Sequence, residues 1–307
     1  MTMGRPLITS RQIDQTTDLV RARVRIMTGI TAKEYQGFLA RGGEFQDIVE
    51  ETIREFIRGR YVTDEVVFSG YAYPPEFTGL KPVRDQVEAL MQHFPNLDPT
   101  WALEQGQSWY DRLKPEFPDW VEGPLVYIWR GASYHSAVQI VLDKLGMTQK
   151  FRNYREGQID ANYLKQTELT EKMENQLHLI QPGSFLIVPS QLGKRYAGSS
   201  VRRDRELFIP GEFGHGSLAV SCLALTHPQR FVRWEQLHVD CAGDEFSSRA
   251  NGVFDYAPCL RSFCSELEFS TRGVRNPYNY YGSMSAFLPA CIAAVPARSD
   301  TCSVSGE

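Results

Sequence analysis

Residues 193–216 read GKRYAGSSVRRDRELFIPGEFGHG. Lys194, Arg195, Arg202, Arg203 and Arg205 fall within twelve residues, with Asp204 the one acid among them. Glycines at 193 and 198 let a backbone approach a ligand closely. Ser199 and Ser200 add hydroxyl donors. Arginine presents a planar fork matched to phosphate or carboxylate oxygens. The stretch therefore has the chemistry of an anion site, and the expected ligand bears phosphate: a nucleic acid or a nucleotide. Neither GxxxxGK[ST] nor GxGxxG is present, so no standard phosphate loop is spelled out. The same residue types also make a solvated loop with internal ion pairs.

The segment PGEFGHGS, 210–217, leads into the apolar run SLAVSCLALTH. A helix beginning at Ser217 would offer free N–H groups and a partial positive charge to an anion. The cations of 194–205 and this helix start could then converge on one phosphate, with His215 at the rim as an acid or base. Two further groups, Lys150 to Arg155 and Arg230 to Trp234, interleave cations with aromatic rings on which bases could stack.

Other chemistry has less support. His238-Val-Asp240 sits on an expected strand, where i and i+2 share a face. The pair resembles the HxD of iron(II)/2-oxoglutarate oxygenases, but His238 is the last histidine, so no later histidine completes the triad. Asp240, Asp244 and Glu245 are oxygen donors suited to a hard cation, or solvated acids at a strand end. No metal ligand set is assigned. GxSxG is absent, so a serine nucleophile has no motif behind it. The six cysteines form no CxxC pair and read as free thiols. Cys222, inside the apolar run, reads as a buried, inert one.

The elements that must carry these residues fall into two halves. Residues 14–27 and 44–60 have helical apolar spacing, and Thr31 and Glu34 have the spacing of a capping box. A Pro/Gly-rich break spans 70–82, and 83–94 and 99–113 read as helices opened by prolines. From residue 124 the character changes. PLVYIW, 124–129, SFLIVP, 184–189, QLHVDC, 236–241, and ELEFST, 266–271, read as strands. Residues 136–147, closed by Gly146, 161–180 and 217–227 read as helices. The expected architecture is α+β: a mostly helical region over 1–120, a mixed core over 121–288 and a flexible tail over 289–307. The chain has 307 residues, 42% hydrophobic and 12% aromatic, ample for a core. A net charge of −4 argues against indiscriminate coating of DNA. No run of ~18 apolar residues or signal pattern is present, so a cytoplasmic, non-membrane protein is expected.

One family resemblance emerges from these elements. VYIWRG, 126–131, resembles the first core strand of the arginine–serine–glutamate ADP-ribosyltransferases, which ends in Arg-Gly. Glu266-Leu-Glu268 resembles that family's ExE, and Ser199-Ser200 its serine element. The resemblance implies NAD as cosubstrate, Arg130 on its phosphates, Ser199 bracing the site and Glu268 stabilising an oxocarbenium ion. DRELFIPG, 204–211, fits the glutamate element equally, with Glu206 in that role. The segments between the elements are longer than that pattern expects. A third reading is a non-catalytic interaction protein, with the aromatic segment 276–289 as its contact surface or as a buried edge of the core.

Overall fold

The computed structural model describes residues 65–293, all of which belong to the unit Arg58–Glu307. The helices expected over 14–27 and 44–60 and the Thr31 capping box lie outside the described residues. After an extended stretch containing Tyr71 to Pro75, helix α1 (Val83–His93) is followed by a π-helical turn (Ala102–Gly106) that runs into α2 (Gln107–Leu113). Strand β1 (Gly123–Ile128) comes next, then α3 (Tyr134–Thr148), β2 (Phe151–Asn153), β3 (Leu164–Gln166), α4 (Glu168–Ile180) and β4 (Phe185–Gln191). The cationic stretch holds a short α5 (Val201–Leu207) and β5 (Glu212–Gly214), and α6 spans Ser217–Thr226. The remainder is β6 (His238–Asp240), β7 (Asp244–Phe246), β8 (Tyr256–Phe263), β9 (Glu266–Gly273), β10 (Tyr281–Ser283), β11 (Ser285–Phe287) and a closing turn α7 (Ala290–Ala293).

The fold is α+β with two sheets. One is antiparallel, in the order β1-β4-β11-β5, with Gly123 opposite Ser190 and Ile128 opposite Phe185. The other is built on the long β8–β9 hairpin, where Tyr256 faces Gly273 and Phe263 faces Glu266. Strands β6 and β7 pair antiparallel with β8, while β10 joins β6 and β2 joins β9 in parallel. Strand β3 extends β7 antiparallel. The aromatic segment 276–289 supplies one strand to each sheet: Tyr281 to Leu288 are buried, while Tyr278 stays exposed.

The apolar run before Pro228 becomes a helix because all ten residues of α6 are buried; an element apolar all round has to lie inside. It packs against β1, α3 and α1. Its neighbour β1 is also buried on both faces, through Leu125, Val126, Tyr127 and Ile128. Helix α1 closes the free edge of β1 with one side chain. Buried Gln86 accepts from Val126 N at 3.0 Å and donates to Pro124 O at 2.7 Å. Helices α1 and α2 thus share one hydrophobic core with the strands, and that core does not divide at residue 120.

Other expected boundaries move as well. Residues 161–167 do not join α4, because Leu164–Gln166 pair with β7 and Thr167 caps the helix, accepting from Thr170 N at 3.3 Å. Gly146 lies inside α3, which begins at a Ser133 cap and ends at Thr148. Residues 201–207 form a helix, with the Ser200 hydroxyl accepting from Arg203 N at 3.2 Å. Of the tail, Ala290–Ala293 are helical and 294–307 lie outside the described residues.

The segment leading into α6 crosses the β6–β7 turn backbone to backbone. Gly243 N donates to His215 O at 2.8 Å. A Cβ at Gly243 would stand 2.4 Å from Gly214 O and 2.7 Å from Gly216 N, so only glycine fits there. Gly243→Ala is expected to cost about 3 kcal/mol or more, since backbone rather than a flexible side chain must move. A urea unfolding midpoint within error of wild type would contradict this.

Candidate functional site

Arg130 follows β1 and Trp129 directly. Trp129 stacks parallel to His178 of α4 at 4.3 Å, and the Arg130 guanidinium lies over the Trp129 ring at 5.1 Å. Arg130 Nη1 donates to Gln166 Oε1 (3.2 Å) and Glu171 Oε1 (3.0 Å), and Nη2 donates to Asn175 Oδ1 (2.7 Å). Arg130 thus lines a cleft of about 600 Å³ together with Tyr134, His135, Lys165, Gln166, Thr167, Glu168, Glu171 and Glu245. Lys165 bridges to Glu245 at 2.9 Å. The cleft therefore mixes two permanent cations with three carboxylates.

Behind the lining stand two buried carboxyls. Glu174 accepts from Gln166 Nε2 at 2.8 Å and from the Tyr127 hydroxyl at 3.0 Å. Burial raises its pKa to about 7, against the pull of those two hydrogen bonds. Asp244 accepts from the Tyr134 hydroxyl at 2.7 Å and from Ser217 N at 2.6 Å. Burial raises it to about 6 against these bonds. The charge of Asp244 adds to the upward shift of Glu174. Perturbed acids behind an open cleft are a mark of functional sites. Gln166 bridges the two groups, accepting from Arg130 through its carbonyl oxygen and donating to Glu174 through its amide nitrogen.

The residues of 193–216 are not gathered around one space. Lys194 is exposed, and Arg195 stacks on Trp120 at 4.5 Å and reaches buried Glu212 at 3.3 Å. Arg202 pairs with Glu65 and, at 3.1 Å, with Glu206. Arg203 is buried. Ser200 caps α5 and donates to Glu65 at 2.7 Å. Ser199 lies beside Asp204, which burial raises to about 8 and which accepts from Ser283 at 2.5 Å. The close approaches expected at Gly193 and Gly198 are made by the chain itself, from Gly282 and Val67. Arg205 is the member tied to the cleft. Its guanidinium donates to Ala242 O (2.8 Å) and Asp244 O (2.5 Å) and lies 3.8 Å from Glu245. It fixes the turn that presents Glu245.

His215 is fully buried rather than at a rim, with Nε2 2.7 Å from Ser190 Oγ. Burial drops its pKa to about 3, so it is neutral at working pH. The anion expected at the start of α6 is present, but it is internal: the Asp244 carboxylate takes Ser217 N. Glu268 lies under Arg261 (2.6 Å) and near Tyr154 (3.3 Å), 2% exposed and outside the Arg130 cleft. The three residues that the transferase resemblance names therefore do not meet. The glutamates that do share the cleft with Arg130 are Glu168, Glu171 and Glu245. Sequence reasoning offered Glu245 only as an oxygen donor to a hard cation and did not single out Glu168 or Glu171, because α4 and β7 are brought to β1 only by tertiary packing.

His238 and Asp240 are both buried on β6, with Asp240 facing Arg272 at 3.4 Å. Among the described residues no group of three or more His, Cys, Asp or Glu is placed to hold a metal ion. Cys222, Cys241 and Cys259 are buried free thiols and Cys264 is exposed. Among the described residues no helix is long and apolar enough to cross a membrane. No protein-family model, curated protein or solved structure matches the chain.

The Glu174 carboxyl sets a pH dependence of stability. Its folded pKa, about 7, lies above the ordinary 4.5, so the folded state keeps the proton to higher pH. Its contribution is fully present below pH 4.5 and is lost as pH rises towards 7. Thermal melts of wild type and Glu174→Gln should therefore show a wild-type advantage that shrinks across this window. The slope is up to about 1 kcal/mol per pH unit. A difference that stays flat or grows with pH would refute this placement of the proton.

Proposed function

We propose that the cleft at the end of β1 binds a phosphate-bearing ligand of the nucleotide class, with Arg130 as its anion-holding residue. The observation that carries this reading is the posture of Arg130. Its guanidinium is stacked on Trp129, braced by Gln166, Glu171 and Asn175, and still lines an open cleft that also holds Lys165. A guanidinium so fixed loses little entropy on meeting a phosphate. The cleft volume of about 600 Å³ suits a small ligand. Glu168, Glu171 and Glu245 are acceptors of the kind that take ribose hydroxyls. The cations of 193–205 differ in that none of them lines this cleft, whereas Arg130 and Lys165 do while keeping their own partners Glu171 and Glu245.

Calorimetric titration with ADP and ATP at two salt concentrations tests the reading. Arg130→Ala should weaken binding about ten- to a hundred-fold, the range of a lost charge-assisted contact. Lys194→Ala and Arg202→Ala should leave it near wild type. The reverse pattern, or tight binding of single-stranded nucleic acid that ignores Arg130, would move the site to the 193–216 stretch.

A second reading is transfer or hydrolysis at the N-glycosidic bond of NAD. What favours it is that Glu171, 3.0 Å from Arg130, and Glu245 line the same cleft. Carboxylates so placed suit a developing oxocarbenium ion. In this reading NAD incubated with the protein releases nicotinamide, and both Arg130→Ala and Glu245→Gln abolish the release. Absence of release from wild type with water and a panel of protein acceptors would eliminate it.

A further inference from the structure

A second groove, of about 400 Å³, is lined by Leu169, Leu207, Phe208, Ile209 and Pro210 together with Arg205, Glu206 and Glu212. It adjoins the Arg130 cleft at two points. Glu168 lines the cleft and the next residue of α4, Leu169, lines the groove. Glu245 lines the cleft, and Arg205, 3.8 Å from it, lines the groove. The first turn of α4 and the Arg205–Glu245 pair thus stand between the two spaces, and the groove adds five apolar side chains to its three charged ones. We propose that the groove is a second subsite for the ligand of the Arg130 cleft, taking an aromatic or other apolar group attached to the phosphate-bearing part.

The inference rests on the nucleotide reading of the cleft, and two observations support it. Leu169 is 41% exposed in the first turn of α4, a position where solvent alone would favour a polar side chain. Phe208 packs from behind against the Val201, Ala242 and Val274 cluster and lies 5.7 Å from Tyr196. Its ring is therefore held in place beside the groove. A ligand confined to the cleft would leave the apolar lining wet, whereas a ring placed against it removes apolar surface from water.

The test compares ADP with a ribose-linked N-methylanthraniloyl derivative of ADP, whose fluorescence shifts to the blue and brightens in an apolar environment. Both are titrated into wild type, Leu169→Glu and Arg130→Ala. The expected result is that the derivative binds wild type about tenfold more tightly than ADP, the effect of burying part of one ring. Its emission should shift to the blue on binding. Leu169→Glu should return the derivative to the affinity of ADP and remove the shift. Arg130→Ala should weaken both probes. Equal affinities in wild type, or an advantage that survives Leu169→Glu, would overturn the subsite, while an Arg130-dependent affinity for ADP would leave the nucleotide reading standing. No Arg130-dependent binding of either probe would overturn both.

Discussion

Helix α6 begins deep in the protein, and its first N–H groups cannot reach water. Such groups must find an acceptor inside or cost the fold their desolvation. The acceptor is Asp244, whose carboxylate takes Ser217 N and is held from the other side by the Tyr134 hydroxyl. Much follows from this contact. It requires the backbone of 214–216 to pass against 241–244, which only glycines at 214, 216 and 243 permit. The same crossing brings β7 beside α4, where Thr167 N reaches Gly243 O at 2.8 Å. The residue after the anchored aspartate is Glu245, which is thereby delivered to the cleft of Arg130.

The charged groups divide into two populations by the same logic. Arg195, Arg202 and Arg205 each end on a carboxylate or on backbone carbonyls of this chain, and fully buried Arg230 donates to Leu192 O and Leu237 O beneath Tyr73. A buried guanidinium without such partners would be prohibitively costly. These cations tie loops and short strands together. Arg130 is braced in a comparable way but borders open space, as does Lys165. The carboxyls follow suit: Asp204 and Asp240 are sealed among Ser283 and Arg272, whereas Glu174 and Asp244 stand one residue behind a cleft.

How far the pattern of residues reaches is visible element by element. Strands β1 and β4 and helices α3 and α6 are legible because each is long or strongly apolar, so its period and ends are marked. Helix α5 is not, since VRRDREL carries five charges in seven residues. Its amphipathic face becomes evident only once Glu65 and Glu245 are placed beside it. Strands of three residues, such as β5, β7 and β11, have too few positions to establish alternation. Strand β8 contains Pro258, which speaks against a strand until its neighbours are known.

At the site, the sequence by itself determined that Arg130 ends an apolar strand, that cations crowd 194–205, and that an anion belongs at the start of α6. These follow from residue type and local order, which act over one turn or one strand. Tertiary structure alone decided which charges meet. It placed Asp244 at the α6 start instead of an external phosphate and gave internal partners to Arg195, Arg202 and Arg205. It also drew Lys165, Glu171 and Glu245 to Arg130. The physical reason is that an ion pair or a helix-end contact is fixed by distance through space. That distance is set by how α6, β1 and the glycine crossing pack, and no run of neighbouring residues encodes it.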